Sequence, residues 1–317
     1  MKLSYEDLIE KIIEDGFHES VISIRECGNH DLNRNYVYQV MTENKNLIIK
    51  FYYKPNKRLR EENALKHIKH SKLKIVMMGE TSEGTEWSIY NYIQGEMLET
   101  LFNSQTNYDA QNIFYEIGMD MGVLHSSKQF DYFGDWLSEK QSPVEQYQNF
   151  IIKDTERIIT NLGFLPEEDQ LILNYAINSV REEYKHIREL RVGRLCHRDY
   201  DGRNIIVQKK SDGRYHLNGI LDFEKCVVFN EHYDIIGLYR KYFIDKPELI
   251  RPFFDGYIQY MDVDSSFNNE FRFNLFRMGL DLCSWSKRVS DSFYNEVFEY
   301  LKYIIDIDGK FEKYLYK

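Results

Sequence analysis

Residues 194–207 read RLCHRDYDGRNIIV, and GILDFEKC follows at 219–226. The first stretch contains a His-Arg-Asp triplet that ends at Asp199, with Asn204 five positions later and apolar residues on both sides. The second stretch places Asp222 at the end of another apolar run. Short apolar runs bounded by turn formers are typical of buried strands, so we expect these three polar side chains at strand ends. Taken singly, each is equally well explained as a turn residue or a cap, and the case for chemistry depends on their order.

That order is H-R-D-x-x-x-x-N, then a strand, then a D-F dipeptide, which is the catalytic sequence pattern of protein kinases. Phosphoryl transfer needs a carboxylate beside the acceptor hydroxyl and oxygen ligands that hold Mg²⁺ against the nucleotide phosphates. Asp199, Asn204 and Asp222 supply these groups. Mg²⁺ prefers such a sparse set of hard oxygen ligands, with phosphates and waters completing the octahedron. The sequence therefore predicts a nucleotide- and magnesium-dependent phosphotransfer site.

A strand lysine and a helix glutamate should lie upstream of this pattern. The strand-like run LIIK ends on Lys50, and the helical stretch REENAL offers Glu61 and Glu62. Helix spacing places Glu61 on the same face as apolar residues, whereas Glu62 falls beside lysines. We therefore predict that Glu61 is the partner of Lys50, and that Glu62 forms a surface ion pair of little energetic value.

A phosphate-covering loop is expected between the first two strands, where CGNHDLNRN occupies residues 27–35. The loop contains a single glycine, Gly28, so the G-x-G-x-x-G pattern of protein kinases is absent. Backbone N–H groups, together with Asn29 or Asn33, would have to hold the phosphates.

With these residues the chain resembles the aminoglycoside phosphotransferase and choline kinase-like superfamily, small-molecule kinases that share the protein-kinase fold. The matching stretches follow the family's order and cover most of the chain: GNHDLNRNYVYQV, LIIK, REENAL, YNYIQGEML, GVLH, YFGDW, CHRDYDGRNIIV, GILDFE and HYDIIGL. The resemblance implies that Asp199 is the catalytic base or orients the acceptor hydroxyl, and that Asn204 and Asp222 bind Mg²⁺. It also implies that the nucleotide-binding residues are Lys50, Glu61, Gly28, Tyr90, Tyr92 and Ile93. Among them, the residues from Tyr90 to Ile93 would form a hinge that contacts the purine. His197 would brace the catalytic loop, and Asp234 would be structural.

The resemblance implies an α+β, bilobal, protein-kinase-like fold. A small strand-rich N-terminal lobe over residues 1–93 would bind the nucleotide, and a larger, mostly helical C-terminal lobe over residues 94–317 would carry catalysis and substrate binding. Hydrophobic periodicity agrees, because a helix over 4–15 and five strand-like runs precede residue 94, and mostly helical patterns follow. A strand-rich block at 194–228 interrupts the helical part as a hairpin.

Protein-kinase activity is the nearest alternative. Arg198 gives the H-R-D form of the loop, and Pro247-Glu248 lies where an activation loop could end. However, HYDIIGLYRKY at 232–242 has the periodicity of a helix rather than of a phosphorylatable loop. The missing glycine-rich pattern also favours a kinase of small molecules.

Composition limits the partners and the compartment. The chain has 317 residues and a net charge of −10, which disfavours nucleic acid and anionic membranes as partners. No apolar run is long enough for a membrane span, and the N-terminus lacks a signal-peptide pattern. Four widely spaced cysteines fit neither a zinc site nor a disulfide framework, so we expect a cytoplasmic protein.

Charge is distributed unevenly along the chain. Residues 45–74 hold ten lysines or arginines against two glutamates, so the remainder carries −18. The basic stretch is either a solvated helix face or a surface facing phosphates, and the acidic remainder favours a cationic acceptor such as an aminoglycoside antibiotic. Candidate substrate contacts, each equally plausible as a surface or cap residue, are Asp201, Glu224 and Asp281. A choline-, ethanolamine- or sugar-type kinase and a non-catalytic nucleotide-binding pseudokinase stay open as alternatives, as do ATP or GTP as donor and the oligomeric state.

Overall fold

The computed structural model describes residues 4–28, 35–104, 109–135 and 146–308. The chain folds into two compact units. Unit 1 comprises Met1–Asn107 and Gly202–Cys226, and unit 2 comprises Tyr108–Asp201 and Val227–Lys317. The functional lobes predicted at 1–93 and 94–317 are consecutive, whereas the compact units interleave, because the segment that contains Asp222 pairs with a strand of unit 1. The assignment of functions to the two lobes stays a prediction.

Within its described residues, unit 1 contains a five-stranded and a three-stranded antiparallel sheet with three helices. The elements are α1 (Tyr5–Phe17), β1 (Val21–Cys27), β2 (Tyr36–Thr42), β3 (Asn46–Phe51), α2 (Lys57–His67), β4 (Ile75–Glu80), β5 (Glu86–Asn91), β6 (Glu96–Met97), α3 (Leu98–Asn103), β10 (Ile205–Lys209) and β11 (Tyr215–Ile220). The larger sheet has the strand order β1-β2-β3-β5-β4. The predicted helix over 4–15 and the five strand-like runs before residue 94 are all present, as α1 and β1 to β5.

The core of unit 1 lies between α1 and the five-stranded sheet. Ile9 and Ile13, one turn apart on α1, are fully buried against Val40, Ile49 and Ile89 of the sheet. Burying an aliphatic side chain of this size contributes about 1.5–3 kcal/mol relative to leaving it exposed. Because successive strand residues point to opposite faces, the burial of Ile49 in this core directs the next residue of β3, Lys50, to the other face.

The smaller sheet of unit 1 is built around the hairpin of β10 and β11, and β6 pairs with β10. Gly95 precedes β6 with φ 141°. A Cβ there would overlap the carbonyl oxygen of Val207, so the approach of β6 to β10 requires glycine. The hairpin delivers Asn204, just before β10, and Asp222, just after β11, to the same end of the sheet, since Ile205 and Ile220 are paired.

Unit 2 is mostly helical. Its elements are α4 (Ala110–Ser126), β7 (Gln129–Phe130), β8 (Gly134–Asp135), α5 (Tyr147–Thr160), α6 (Gln170–Glu182), β9 (Gly193–Cys196), β12 (Val227–Phe229), α7 (His232–Leu238), α8 (Ile250–Tyr257), α9 (Ser265–Ser286) and α10 (Asp291–Asp306). The short strands form a sheet of order β7-β9-β12-β8, and β9 leads directly into the His-Arg-Asp triplet. The sequence-based hairpin at 194–228 is therefore divided, with β9 and β12 in unit 2 and β10 and β11 in unit 1.

Two helices of unit 2 cross at backbone contact. A Cβ at Gly118 of α4 would overlap the carbonyl oxygen of Phe253, and a Cβ at Gly256 of α8 would overlap that of Tyr115. The aromatic residues of α9 and α10 supply much of the remaining core, and those buried are Phe267, Phe271, Phe273, Phe276, Tyr294, Phe298 and Tyr300.

The predicted α+β class is confirmed, with strands concentrated in the N-terminal part and helices in the C-terminal part. The segment HYDIIGL forms helix α7, as its periodicity predicted, and so does not form a loop. In the described part of the chain, every helix is either too short or too polar to cross a membrane.

Candidate active site

The centre of the site in unit 1 is the ammonium of Lys50, which is 6% exposed. It lies 3.0 Å from Glu61 Oε2, 2.6 Å from Asp222 Oδ1 and 2.9 Å from Glu224 Oε2. The ion pair predicted between Lys50 and Glu61 is thus present. Burial by itself would lower the pKa of Lys50, but the carboxylates of Asp222, Glu61 and Glu224 outweigh it and raise that pKa well above its ordinary value. The lysine therefore carries a full positive charge.

Glu61 is held rigidly on α2. Its Oε2 accepts from Lys50 and, at 2.9 Å, from the Tyr52 hydroxyl, while its Oε1 accepts from the Phe223 N–H at 3.0 Å. A buried carboxylate with these three donors is well satisfied, which is the condition for keeping a charge inside a protein. Glu62 instead pairs at 2.8 Å with the exposed Lys66, the surface pair that the sequence predicted.

Asp222 stands where β11 ends, in a left-handed conformation with φ 63°. Aspartate tolerates this region better than most residues, and such strain is common at functional sites. The side chain is 30% exposed, so one side of the carboxylate is accessible. The neighbouring Leu221 N–H donates to the carbonyl oxygen of Asn204 at 2.8 Å, which joins the two segments that carry the predicted metal ligands.

The carboxylate oxygens of this cluster are of the kind that binds divalent cations, although in this structure they surround the Lys50 ammonium. Glu61, Asp222 and Glu224 each offer a carboxylate oxygen, and these atoms lie within 4.8 Å of one another. Hard oxygen ligands of this kind suit Mg²⁺. Asp222 is the most open of the three, because Glu61 and Glu224 are 1% and 4% exposed along their side chains.

Glu224, a candidate contact of the acceptor, is surrounded by hydrogen-bond donors of unit 1. It is buried, and its Oε2 accepts from Lys50 and, at 2.5 Å, from Asn35 Nδ2. Its Oε1 lies 3.8 Å from Lys57 Nζ. In this structure Glu224 thus contacts the lysine that is predicted to bind phosphates, and its contact with the acceptor stays a prediction.

Three residues of this cluster were missed at the sequence level: Asn35, Tyr52 and Lys57. Lys57 is four residues before Glu61, so the helical repeat places both on one face, and this signal was readable. Tyr52 is two residues after Lys50, on the same side of an extended chain. Asn35 bonds to a residue 189 positions away, and no sequence pattern indicates that contact.

Three further nucleotide-binding predictions fall at the end of β5 or just after it. Tyr90 is buried in β5, and its hydroxyl lies 2.5 Å from that of Tyr52, so its side chain belongs to the Lys50–Glu61 network. The Tyr92 N–H donates to the Asn46 carbonyl oxygen at 3.3 Å, and Ile93 is buried. Tyr92 and Ile93 thus follow the end of β5, and the hinge and the purine contacts of these residues stay predictions.

Gly28 follows β1 with φ 82°, a conformation that favours glycine. Asn29 and Asn33, the other candidates in the phosphate-covering loop, lie outside the described residues.

The loop in unit 2 that carries Asp199 is fixed by a buried aspartate. Asp234, on α7, is 1% exposed and accepts from the backbone N–H groups of His197 and Arg198, each at 2.7 Å. Arg198 is thereby held with φ 68°. The Asp199 N–H in turn donates to His197 Nδ1 at 3.2 Å. His197 thus contacts the loop as a bracing residue would, and Asp234 is a structural anchor.

His125 completes this anchor from helix α4. Its Nε2 lies 3.1 Å from Asp234 Oδ2, and its Nδ1 lies 2.8 Å from the Tyr257 hydroxyl. Burial would raise the pKa of Asp234, but the hydrogen bonds from His125 and His197 more than compensate, and the pKa is lowered overall. The anchor is therefore an ionised carboxylate.

The other predicted acidic residues are also in unit 2. Asp281, on α9, accepts from the Tyr233 hydroxyl at 3.3 Å, and Arg198 Nε donates to the same hydroxyl at 3.2 Å. Asp201 is buried, and its N–H donates to the Asp199 carbonyl oxygen at 2.9 Å. Asp199, Asp201 and Asp281 thus belong to unit 2, and Lys50, Asn204, Asp222 and Glu224 to unit 1.

Comparison with known proteins agrees with these observations. A family model described as the phosphotransferase enzyme family matches residues 28–265. A thermostable mutant of aminoglycoside phosphotransferase APH(4)-Ia, in ternary complex with AMP-PNP and hygromycin B, has a similar structure, with a TM-score of 0.73 and 15% identity over 94% of this chain and 98% of that one. A GDP complex of aminoglycoside 2'-phosphotransferase-IIIa gives 0.66 and 18% over 96% and 99%.

Spectinomycin phosphotransferase APH(9)-Ia, in complex with ADP and spectinomycin, gives a TM-score of 0.65 and 14% identity over 97% of this chain and 98% of that one. The curated proteins include no match to the chain. At these identities the solved structures establish a shared fold, which confirms the predicted protein-kinase-like class.

Proposed function

Because the chain belongs to the phosphotransferase enzyme family, we propose that it transfers the γ-phosphoryl group of ATP or GTP to a hydroxyl of a small molecule. The observation that best supports this proposal is the buried, charged Lys50 among Glu61, Asp222 and Glu224. A lysine paired with a helix glutamate and placed beside an aspartate is the arrangement that kinases use to hold nucleotide phosphates.

Each residue of the site has a separate task. Lys50 binds the nucleotide phosphates, and Glu61 keeps its ammonium in place through the bond at 3.0 Å. Asp222 and Asn204 would hold Mg²⁺, which when bound supplies positive charge that offsets the phosphate charge. Asp199 accepts the proton of the acceptor hydroxyl or orients that hydroxyl for attack.

The acceptor is proposed to be cationic, as the sequence-wide charge suggests. Three of the structural relatives are named as phosphotransferases of aminoglycosides or spectinomycin, which supports an antibiotic and a role in resistance. Asp281 is the better candidate contact, because Glu224 is already bonded to Lys50. Arg198 lies close to the partner of Asp281 and lowers the local negative potential, so a choline- or sugar-type acceptor is the alternative.

A phosphotransfer assay with Mg²⁺ tests the proposal. Wild type and Asp199→Asn would be compared with ATP and GTP against aminoglycosides, spectinomycin, choline, ethanolamine and simple sugars. We expect Asp199→Asn to lower turnover by about 10²–10⁴-fold, the usual contribution of a general base, with nucleotide affinity unchanged. Asp255→Asn is a matched control, because this aspartate is 43% exposed on α8.

Full turnover by Asp199→Asn would refute the assigned role. Nucleotide binding with no turnover on any acceptor would favour the pseudokinase alternative. Failure to bind either nucleotide would contradict the proposal as a whole.

A further inference from the structure

Three hydrogen-bond donors of unit 1 converge on one carboxylate that the proposed reaction does not require. Glu224 is 3% exposed and has Lys50 Nζ at 2.9 Å, Asn35 Nδ2 at 2.5 Å and Lys57 Nζ at 3.8 Å. The donors come from different elements, namely β3, the residue before β2 and the first residue of α2. Two cations and an amide N–H around one anion form a site with the chemistry of an oxyanion receptor.

Lys57 is only loosely satisfied by Glu224. Its side chain is 15% exposed, and its distance to Glu224 exceeds that of a hydrogen bond. Within the described residues, Lys57 has no hydrogen bond, and its ammonium lies 6.0 Å from the centroid of the Tyr53 ring. Arg60 and Lys225 add positive charge near it, and Asp222 adds negative charge. A mostly buried ammonium in this state is poised for an anion with more oxygen atoms than one carboxylate supplies.

The start of α2 also lacks the negative charge that a helix N-terminus favours. Its first turn contains no acidic residue, and the N-cap Asn56 makes no side-chain capping bond. Lys57 and Arg58 place positive charge there instead. Carboxylates from other parts of the chain compensate this end of the helix, with Glu86 at 3.3 Å from Arg58 and Glu224 at 3.8 Å from Lys57.

Asn35 is oriented as a donor towards the same point. Its Oδ1 accepts from the Tyr53 N–H at 3.2 Å, which leaves Nδ2 to face Glu224. If the amide flipped and exchanged the positions of its oxygen and nitrogen, this hydrogen bond to the Tyr53 N–H would be lost. Asn35 thus offers a fixed N–H group to whatever anion occupies the position.

We propose that Lys50, Lys57 and Asn35 form an oxyanion subsite that Glu224 fills as an internal carboxylate, and that a phosphate of the nucleoside triphosphate takes over on binding. The inference rests on the proposed function for its ligand. A phosphate group carries more charge and more acceptor oxygens than a carboxylate, so it can bond to all three donors at once. Glu224 acts as a competitor that the incoming nucleotide must displace.

This assignment accounts for the missing glycine-rich pattern. Protein kinases cover the phosphates with a glycine-rich loop whose backbone N–H groups bind them. In this chain the segment between β1 and β2 contains a single glycine, Gly28. Side-chain donors from Asn35 and Lys57 would supply part of that function.

The test measures ATP, adenosine and tripolyphosphate binding to the full-length protein by calorimetry, with and without Mg²⁺. The variants are Lys57→Met and Glu224→Gln, with Lys54→Met as the matched control, because Lys54 is exposed and outside the cluster. We expect Lys57→Met to weaken ATP and tripolyphosphate binding by about tenfold or more, the loss of one charge-assisted contact, and to leave adenosine binding unchanged.

Glu224→Gln should have the opposite effect. Without Mg²⁺ it should tighten ATP binding by roughly 5- to 150-fold, the usual range for coupled binding events, because the internal competitor loses its charge. In the double variant Lys57→Met/Glu224→Gln this gain should shrink, since Lys57 is one of the donors released.

Several results would overturn the subsite. ATP binding by Lys57→Met that equals that of Lys54→Met would remove Lys57 from it. Unchanged or weaker Mg²⁺-free ATP binding by Glu224→Gln would show that Glu224 is not a competitor of phosphate. If wild type binds tripolyphosphate in a Lys57-dependent manner but neither nucleotide and phosphorylates nothing, the proposed function fails while the subsite stands.

Discussion

Replacing Asp234 by Asn should loosen the loop that carries Asp199. The carboxylate of Asp234 accepts two backbone N–H groups at 2.7 Å, from His197 and Arg198, and a third donor from His125 at 3.1 Å. Asparagine keeps one oxygen and presents an NH₂ group where the other oxygen was. One backbone N–H then loses its acceptor and faces a donor, in a position that is 1% exposed.

The expected cost follows from these contacts. A hydrogen bond to a charged group contributes about 1.5–3 kcal/mol, and breaking a buried ionic cluster by removing one partner costs about 3–5 kcal/mol. We therefore expect Asp234→Asn to lower the free energy of unfolding by about 3–5 kcal/mol, which corresponds to a Tm lower by ~6–20 °C. Because the Asp199 N–H is bonded to His197, turnover should also fall, by roughly 10²-fold for a displacement of about 1 Å.

Thermal unfolding followed by circular dichroism checks the stability. The phosphotransfer assay and an ATP titration, at a temperature where both proteins are folded, check the turnover and the nucleotide affinity. Asp255→Asn is again the control, since it makes the same chemical change at an exposed position. ATP affinity should be unchanged, because Lys50 and Asp222 belong to unit 1 and all contacts of the anchor described here belong to unit 2. A Tm within ~2 °C of the control would refute the reasoning, since ~1 kcal/mol is less than one such hydrogen bond contributes.

Two further predictions concern stability. Gly118→Ala should destabilise unit 2 by ~2–3 kcal/mol in urea denaturation, since its Cβ would overlap a backbone carbonyl of α8, whereas Gly237→Ala, with no atom nearer than 3.9 Å, should be neutral or stabilising by ~0.5–1 kcal/mol; equal costs would contradict the packing argument. Burial would raise the pKa of Glu231, but Arg188 at 2.8 Å lowers it to about 2, so its stabilising effect is complete above its ordinary pKa of 4.5 and is lost as the pH falls towards 2. Glu231→Gln should therefore cost about 3 kcal/mol at pH 7 and much less at pH 3 in denaturant titrations, while the exposed Glu299→Gln should cost little at either pH, and a pH-independent cost would show that charge is not the cause.

The sequence was sufficient for those parts of the site that depend on local periodicity. Lys50 lies in an apolar strand, and Glu61 lies on the inward face of a helix, so their pairing could be deduced from alternation and the 3.6-residue repeat. The helical character of HYDIIGL was readable in the same way, and it separated this chain from one with an activation loop. The order of His197, Asp199, Asn204 and Asp222 gave the family.

Contacts between distant segments were not readable. Glu224 is two residues after Asp222 and was one of three candidate acceptor contacts. Its contact with Lys50 was not readable, because it depends on the left-handed conformation of Asp222 and on the 3-10 turn Phe223–Lys225. The interleaving of the two units depends on β6, a strand of two residues, which is too short for any hydrophobic period. The placement of Glu224 depends on one backbone torsion, and the placement of the β10–β11 hairpin depends on a short strand pairing. Neither feature produces a recognisable sequence pattern.

The pairing of Lys50 with Asp222 also has a consequence for synthesis of the chain. The two residues are 172 positions apart, and at ~5–20 residues per second a ribosome needs roughly 10–30 s to add the second after the first. During that interval the nascent N-terminal sheet has the lysine and Glu61 but neither of the later carboxylates, and β6 waits for its partner β10. A ribosome-bound chain can therefore acquire the proposed nucleotide site only after Cys226 has emerged, so the first part of the protein to be made is not the first to become functional.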